Sequence, residues 1–255
     1  MNGDTLIEAL DLPPSSRVNQ RVPKKLLLEN GAPTAADKRL INDGIDELLW
    51  LAALKPTTIG VPEYRDDVRE YLEIAVLRLT LRAAAKVTRL VELVHRAVPY
   101  PLLLLTEQAD HGGRPGLSAA HKRWSQGEAG KTVLARDVVA AQWDAERDAE
   151  RWPAFRDALA LGKQPRTTLH ALYQGWIDML LALQAARVTG VFTVAANAEH
   201  AALRRDALQD CTRLDAEIAR LRATARKEKQ MSRRVELNLE LKRVEAARAA
   251  ARDKL

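Results

Sequence analysis

A single cysteine, Cys211, occurs in the 255 residues. That excludes an intrachain disulfide and any cysteine-based zinc site, and it fits a reducing compartment. Aromatic residues make up 4% of the chain, too few for a broad base-stacking surface. No run approaches the ~18 consecutive apolar residues of a membrane span, and the nearest, Trp176 to Leu183, is broken by Asp178. The opening MNGDTLIEALDL is acidic and has no basic n-region, which predicts no secretory signal. These absences together predict a cytoplasmic protein with no membrane partner. His95, His111, His121, His170 and His200 include no i, i+4 pair, so neither a metal nor another cofactor is predicted.

What the chain does have is charge, unevenly placed. Residues 1–200 hold 25 Lys+Arg and 25 Asp+Glu, whereas residues 201–255 hold 15 against 9. The net charge of +6 therefore belongs to the tail.

The stretch Glu70 to Glu107 organises the rest. EYLEIAVLRLTLR alternates as a strand does, with Leu77, Leu79 and Leu81 on one face and Ile74 and Val76 on the other. The period then changes: Val87, Leu90, Val91, Val94 and Val98 form one helical stripe. Pro99 and Pro101 stop that helix, and Leu102 to Leu105 is short and apolar on both faces, as a buried strand is. Strand, helix and buried strand predict a βαβ unit.

Before this unit, a helix is expected from Asp4 to Leu10, and Pro23 suits the first turn of another. Thr34 to Asp37 has the form of a capping box and opens a helix with the stripe Leu40, Ile41, Ile45, Leu48 and Leu49. Short strands follow at Trp50 to Leu54 and Thr57 to Val61. After the unit, LSAAHKRWS reads as one strand, Thr132 to Leu134 as a return to the sheet, and Val138 to Trp143 as a helix. Further helices are expected at Ala154 to Leu161 and Thr168 to Arg187. The predicted class is α/β (α+β): a mixed sheet of five or six strands with covering helices over residues 1–144, a helical linker over 145–196, and a charged helical, partly coiled-coil tail over 197–255. Cys211, Leu214, Ile218, Leu221 and Ala225 step by threes and fours, as a coiled-coil seam does. Carried onward in register, the seam meets Glu228 and Ser232, which interrupt it, and then Val235 and Leu239. KEKQMSRR, residues 227–234, reads either as the turn of a hairpin or as a weak point in one long helix.

Four segments could carry chemistry. SQGEAGKT, Ser125 to Thr132, has the Gly-Lys-Thr of a phosphate-binding loop, but Ser125 stands where the first glycine belongs; a surface turn is the simpler reading. His121, Lys122 and Arg123 form a cluster on a predicted strand beside Arg78 that could meet phosphate, and a solvated strand face explains it as well. Arg21, Lys24 and Lys25 lie near a predicted helix N-terminus, where backbone N–H groups favour anions. In the tail, Arg204, Arg205, Arg226, Lys227, Lys229, Arg233 and Arg234 could follow a nucleic-acid backbone, or line the outside of a coiled coil.

LPPSSRVNQRVPKKLLLENGAPTAADKRLINDGIDELLWLAALKPTTIGV, followed in order by EYLEIAVLRLTLR, AVPYPLLLL and HKRWSQ, resembles the prokaryotic domain-of-unknown-function family 4391 over residues 6–143. The helical tail lies outside that resemblance, apart from a tendency of such proteins to end in coiled coil. The family has no established activity or catalytic residues. Its members tend to be encoded beside helicases and DNA methyltransferases, in clusters that look like restriction or anti-phage systems. The resemblance therefore implies a partner more than a reaction. The expected function is a non-catalytic accessory or assembly subunit of a DNA-targeting defence complex, with helicase or DNA methyltransferase subunits as partners and the tail as the contact, including contact with a second copy. Two alternatives stand beside it: a metal-dependent nuclease or other nucleic-acid enzyme with a site near His121, Lys122 and Arg123, and a DNA-binding module working through the basic tail.

Overall fold

A computed structural model of the protein describes residues 3–83, 85–109, 114–144 and 146–255. The chain divides into two compact units, residues 1–180 and 181–255. The first begins with α1 (Gly3–Ala9), β1 (Arg17–Arg21), α2 (Lys24–Asn30), α3 (Ala35–Gly44) and β2 (Ile45–Leu54). After the short α4 (Pro56–Ile59) come β3 (Tyr64–Arg65), β4 (Glu70–Tyr71), β5 (Ile74–Leu81), α5 (Val87–Ala97) and β6 (Leu102–Gln108). Next are β7 (Gly116–Ala119), β8 (Lys122–Trp124), β9 (Thr132–Leu134), β10 (Val139–Gln142), α6 (Trp152–Leu159) and α7 (Leu169–Thr189), whose residues from 181 on belong to the second unit.

The main sheet has six strands in the order β1-β2-β5-β6-β7-β10. Every neighbouring pair is antiparallel except β5 and β6, which run parallel, with Ala75 opposite Leu102 and Leu77 opposite Leu104. The parallel pair requires a crossover, and α5 supplies it. One sheet face carries Leu48, Ala75, Leu77, Leu79, Leu81, Leu102 and Leu104, which pack with Leu27, Ile41, Leu90, Val91, Leu93 and Val94 from α2, α3 and α5. On the other face, Ile74, Val76, Leu103 and Leu105 are also buried. There Asp4 of α1 lies 3.0 Å from the Arg78 guanidinium. Both faces are dry, so β5 and β6 read as nearly continuous apolar runs.

The capping box forms as its sequence predicts: Thr34 Oγ1 accepts the Asp37 N–H at 3.1 Å. The helix it opens is shorter than the apolar period suggests. It ends at Gly44, and Ile45, Leu48 and Leu49 belong to β2, not to a helical stripe. The reason is contact. A Cβ on Gly44 would sit 2.7 Å from Leu90 Cδ1, so α3 ends where it approaches α5 most closely and the chain turns into the sheet. Other local expectations are corrected as well. Residues 56–59 are helical, LSAAHKRWS is split between β7 in the main sheet and β8 outside it, and Val139–Gln142 is a strand instead of a helix. Thr132–Leu134 pairs with β8 in a separate two-stranded ribbon and does not return to the main sheet. β1, an exposed edge strand without apolar alternation, has no counterpart in the sequence-based expectation.

The second unit contains α8 (Ala198–Lys227) and α9 (Met231–Arg252), joined by the turn Glu228 to Gln230. The two helices form a hairpin. Cys211 and Leu214 pack with Ala251, Val244 and Leu255, and Ile218 and Leu221 are buried along the same stripe of α8. Ion pairs flank the seam, Arg248 with Asp215 at 3.0 Å and Arg222 with Glu245 at 2.7 Å. Val235 and Leu239 are 50% and 55% exposed and lie off the seam, because the turn resets the helical phase. The inward stripe of α9 is instead Leu237, Leu241, Val244, Arg248 and Ala251, again in steps of four and three.

The sheet core and the outer face of α9 should answer differently to truncation. Leu104→Ala is expected to cost about 2–5 kcal/mol in urea unfolding, while Leu239→Ala should stay within about 0.5 kcal/mol of the unmodified chain. Equal effects would contradict the packing described.

Candidate functional site

The basic residues of the first unit do not converge on an anion. Arg21 ends β1 and lies 3.5 Å from Glu47. Lys24 turns its ammonium onto the carbonyl of Ile45 and, at 3.5 Å, that of Asn42. It thus meets the orphan carbonyls at the end of α3, and burial lowers its pKa. Lys25 pairs along α2 with Glu29 at 3.7 Å. Three cations adjacent in sequence serve three separate local purposes, and the phosphate site expected at VNQRVPKK is not assembled.

The cluster His121, Lys122 and Arg123 is taken apart in the same way. Lys122 is 1% exposed. Its Nζ donates to the carbonyl of His95 and, at 2.8 Å, to that of Val98, so this lysine caps the C-terminal end of α5 from below. Nearby, Thr132 donates to the Pro99 carbonyl at 2.8 Å. The expectation of a solvated face fails here because a strand residue beside a helix terminus can supply donors that no water reaches. Arg123 donates to the Trp124 carbonyl at 3.1 Å. Arg78, predicted beside this cluster, instead pairs with Asp4 and, at 3.7 Å, with Glu107.

His121 points into a group of rings. Tyr64 stacks on His170 at 4.9 Å, and His170 stacks on His121 at 5.0 Å. Tyr71 and Tyr173 lie edge-on or tilted against these rings. Tyr71 Oη takes the Lys122 backbone N–H and bonds to Nδ1 of His121. Its own proton therefore goes to Nδ1, and Nε2 of His121 becomes the donor to Gln174 Oε1 at 2.7 Å. The Gln174 amide donates in turn to Asp178 Oδ1 at 2.7 Å. Tyr173 donates to the Leu102 carbonyl at 2.7 Å and accepts the Ala120 N–H at 2.8 Å, which ties α7 to the sheet.

The electrostatics of this cluster favour neutrality. Burial raises both phenols, Tyr71 and Tyr173, well above the ordinary tyrosine value, so neither supplies a phenolate near pH 7. Burial, and then the Arg69 guanidinium, lowers His170; that guanidinium lies 3.4 Å from its Nε2. Asp66 ends the neighbouring hairpin turn, accepting from the Tyr64 hydroxyl at 2.8 Å and from the Val68 and Arg69 N–H groups. The result is a directed hydrogen-bond chain from Tyr71 through His121 and Gln174 to Asp178, suited to clasping α7. Both ring nitrogens of His121 are committed, so it offers no lone pair to a metal, and the nuclease site expected there is not formed. Sequence reasoning missed Tyr64, Tyr71, His170, Tyr173 and Gln174. A signal was present in α7, where His170, Gln174 and Asp178 recur every four residues along a stretch, Leu169 to Leu183, that is otherwise apolar apart from Tyr173.

Two other places were candidates. Ser125 to Thr132 is the turn between β8 and β9: Ser125 Oγ accepts from the Gly127 and Glu128 N–H groups, and Lys131 pairs with Glu128. No helix follows it, so it is not a phosphate-binding loop. A cavity of about 290 Å³ opens at the ends of β5 and β6, lined by Thr106, Glu107, Arg114 and Gln142 among others. Its ions are matched in pairs, Glu107 with Arg78 and Arg114 with Asp144 at 2.8 Å. Among the described residues, no group of three or more His, Cys, Asp or Glu could hold a metal, and no helix is long and apolar enough to cross a membrane. His111 lies outside the described residues.

In the tail, Arg204 is likewise buried and donates to the Thr193 carbonyl at 2.6 Å, but the cations at the hairpin tip behave differently. Arg226, Lys227, Lys229, Arg233 and Arg234 surround the tip of the helical hairpin and are all exposed.

A family model described as Domain of unknown function (DUF4391) matches residues 10–247, which takes in the helical hairpin as well as the sheet. No curated protein and no solved structure matches the chain.

The buried cap at α5 has a pH signature. Burial lowers Lys122 from 10.5 to about 8, so between these values the unfolded chain binds the proton more readily than the folded one, and stability must rise with pH across that window. The unfolding free energy is expected to increase by on the order of 1–3 kcal/mol between about pH 8 and 10, and the increase should be absent in Lys122→Met. Parallel urea titrations of the two proteins that kept the same pH slope would show that Lys122 is not buried as a cation.

Proposed function

The chain belongs to the DUF4391 family, whose model spans both units, and from that premise we propose that it is a non-catalytic accessory or assembly subunit of a prokaryotic DNA-targeting restriction or anti-phage complex. The partners are helicase or DNA methyltransferase subunits, the neighbours that the family resemblance implies. The surface that meets them is the outer stripe of α9.

One observation carries this reading. Met231, Val235 and Leu239 recur every four residues along α9 and are 65%, 50% and 55% exposed, while the opposite stripe of the same helix packs on α8. A helix that carries apolar residues on both sides has a second face to cover, and an amphipathic face of this kind is a recurring mode of protein recognition. The first unit supports the reading by its chemistry. His95, His121, His170, Tyr64, Tyr71, Tyr173 and Lys122 are engaged in holding elements together, which suits a scaffold.

The full-length chain should co-purify with the helicase or methyltransferase encoded beside it. Val235→Glu with Leu239→Glu should reduce that recovery at least tenfold while leaving helix content and the thermal midpoint unchanged, since both residues lie off the seam. Undiminished recovery by the double variant, or no co-purification by the unmodified chain, would rule this reading out.

A further inference from the structure

The tip of the hairpin breaks a rule that the rest of the hairpin follows. At its start, α8 is capped by Asn197, whose side chain accepts the His200 N–H, and it carries Glu199 in its first turn. A carboxylate there complements the positive end of the helix dipole. At the end of α8, Arg226 and Lys227 complement the negative end. The first turn of α9 then reverses the pattern. It contains no acidic residue but does contain Arg233 and Arg234, placed at the end of the helix where cations are disfavoured. Gln230, at the N-cap, makes no side-chain capping bond.

These two arginines also stand within nine residues of Arg226, Lys227 and Lys229. All five are exposed, and among the described residues none is within an ion pair. The one carboxylate in the segment, Glu228, is turned to the Gln230 N–H at 2.8 Å. A sequence selected only to fold would place Asp or Glu at such a helix start. That single carboxylate at the start of α9 stands against five cations, and a charge pattern that opposes local stability with so little compensation marks a functional surface.

We infer that this basic hairpin tip binds the phosphodiester backbone of a nucleic acid without reading its sequence. Three of the five cations are arginines, whose planar guanidinium forks match phosphate oxygens. From residue 197 to 255 there is no Phe, Trp or Tyr, so bases have nothing to stack on and the contact is to the backbone alone. The same lack leaves a lipid surface without the aromatic anchor that interfacial helices use. Two helices of about 10 Å diameter side by side are wider than the ~12 Å major groove, so the tip lies across the phosphates and does not enter the groove.

The inference is independent of the assembly reading, which concerns the Met231, Val235 and Leu239 stripe and is tested by co-purification; repeating that co-purification after nuclease treatment keeps the two apart. Here the full-length purified chain is titrated into fluorescent duplex DNA, single-stranded DNA and RNA of one arbitrary sequence at several salt concentrations. Five contacts predict a slope of log affinity against log salt of about −4.5 on a duplex and about −3.5 on single strands, so the slopes also tell which form is bound. Arg233→Glu with Arg234→Glu should weaken binding at least tenfold and, by removing the conflict with the helix dipole, leave the hairpin as stable or more so. Arg233→Gln with Arg234→Gln should weaken it less. The inference is overturned if none of the three nucleic acids binds at low salt, if the charge-reversal variant binds undiminished with an unchanged circular dichroism spectrum, or if phosphatidylserine vesicles bind more tightly than every nucleic acid.

Discussion

The carbonyl end of α5 has to be met by a donor that is not water, because α5 covers the apolar face of the sheet and its last turn is buried with it. Lys122 meets that need, and much of the first unit follows from where Lys122 must stand. Its ammonium lies under the His95 and Val98 carbonyls, which fixes β8 against the crossover. Thr132 of β9 then reaches the Pro99 carbonyl, so the β8–β9 ribbon is bound to α5 at two points. Successive side chains on an extended segment point to opposite sides. With Lys122 directed at α5, His121 is directed away from it, into the rings of Tyr71, His170 and Tyr173. One buried cation thus sets the position of the imidazole that joins α7 to the hairpin of β3 and β4.

Burying that cation has a cost, since an ammonium loses hydration that two carbonyls only partly replace. His95 carries part of the consequence. Burial, and then the charge of Lys122, lowers it to about 3, so the imidazole stays neutral and bonds to Ser118 Oγ at 2.9 Å. A charged His95 beside Lys122 would place two cations in one apolar layer. Lys24 at the end of α3 repeats the device on a more exposed scale. At the ends of α3 and α5 a lysine from a neighbouring segment supplies the donors, and these two cations are therefore lost to any ligand.

The sequence shows the β5–α5–β6 crossover plainly because its two periods differ and prolines separate them. It hides the α3–β2 boundary, because Leu40, Ile41, Ile45, Leu48 and Leu49 satisfy a helical period, and only the contact of Gly44 with Leu90, remote in the chain, ends the helix. The same applies to Lys122. A charge between His and Arg reads as solvated, and its burial depends on a helix terminus that no local pattern announces. In the tail, Leu214, Ile218 and Leu221 are legible as a seam because they lie within one uninterrupted helix. Val235 and Leu239 are not, because a three-residue turn changes the phase by an amount that sequence spacing does not encode. The expected phosphate and nuclease clusters at Arg21 to Lys25 and His121 to Arg123 fail for a related reason: neighbours along the chain were read as neighbours in space.

This contrast separates the basic residues of the two units by physics rather than by count. In the first unit Arg21, Lys24, Lys25 and Lys122 sit where local electrostatics want a cation, at a helix carbonyl end, beside a carboxylate, or one turn from a glutamate. Folding accounts for them completely. At the hairpin tip Arg226 and Lys227 satisfy the end of α8, but Arg233 and Arg234 oppose the start of α9, and like charges on both sides of a three-residue turn repel one another. The pairing seen elsewhere in the fold does not account for that arrangement, which is why the proposed anion contact is placed there. Because the family model reaches residue 247, the hairpin that presents this charge belongs to the family's own architecture and is not an appendage to the sheet.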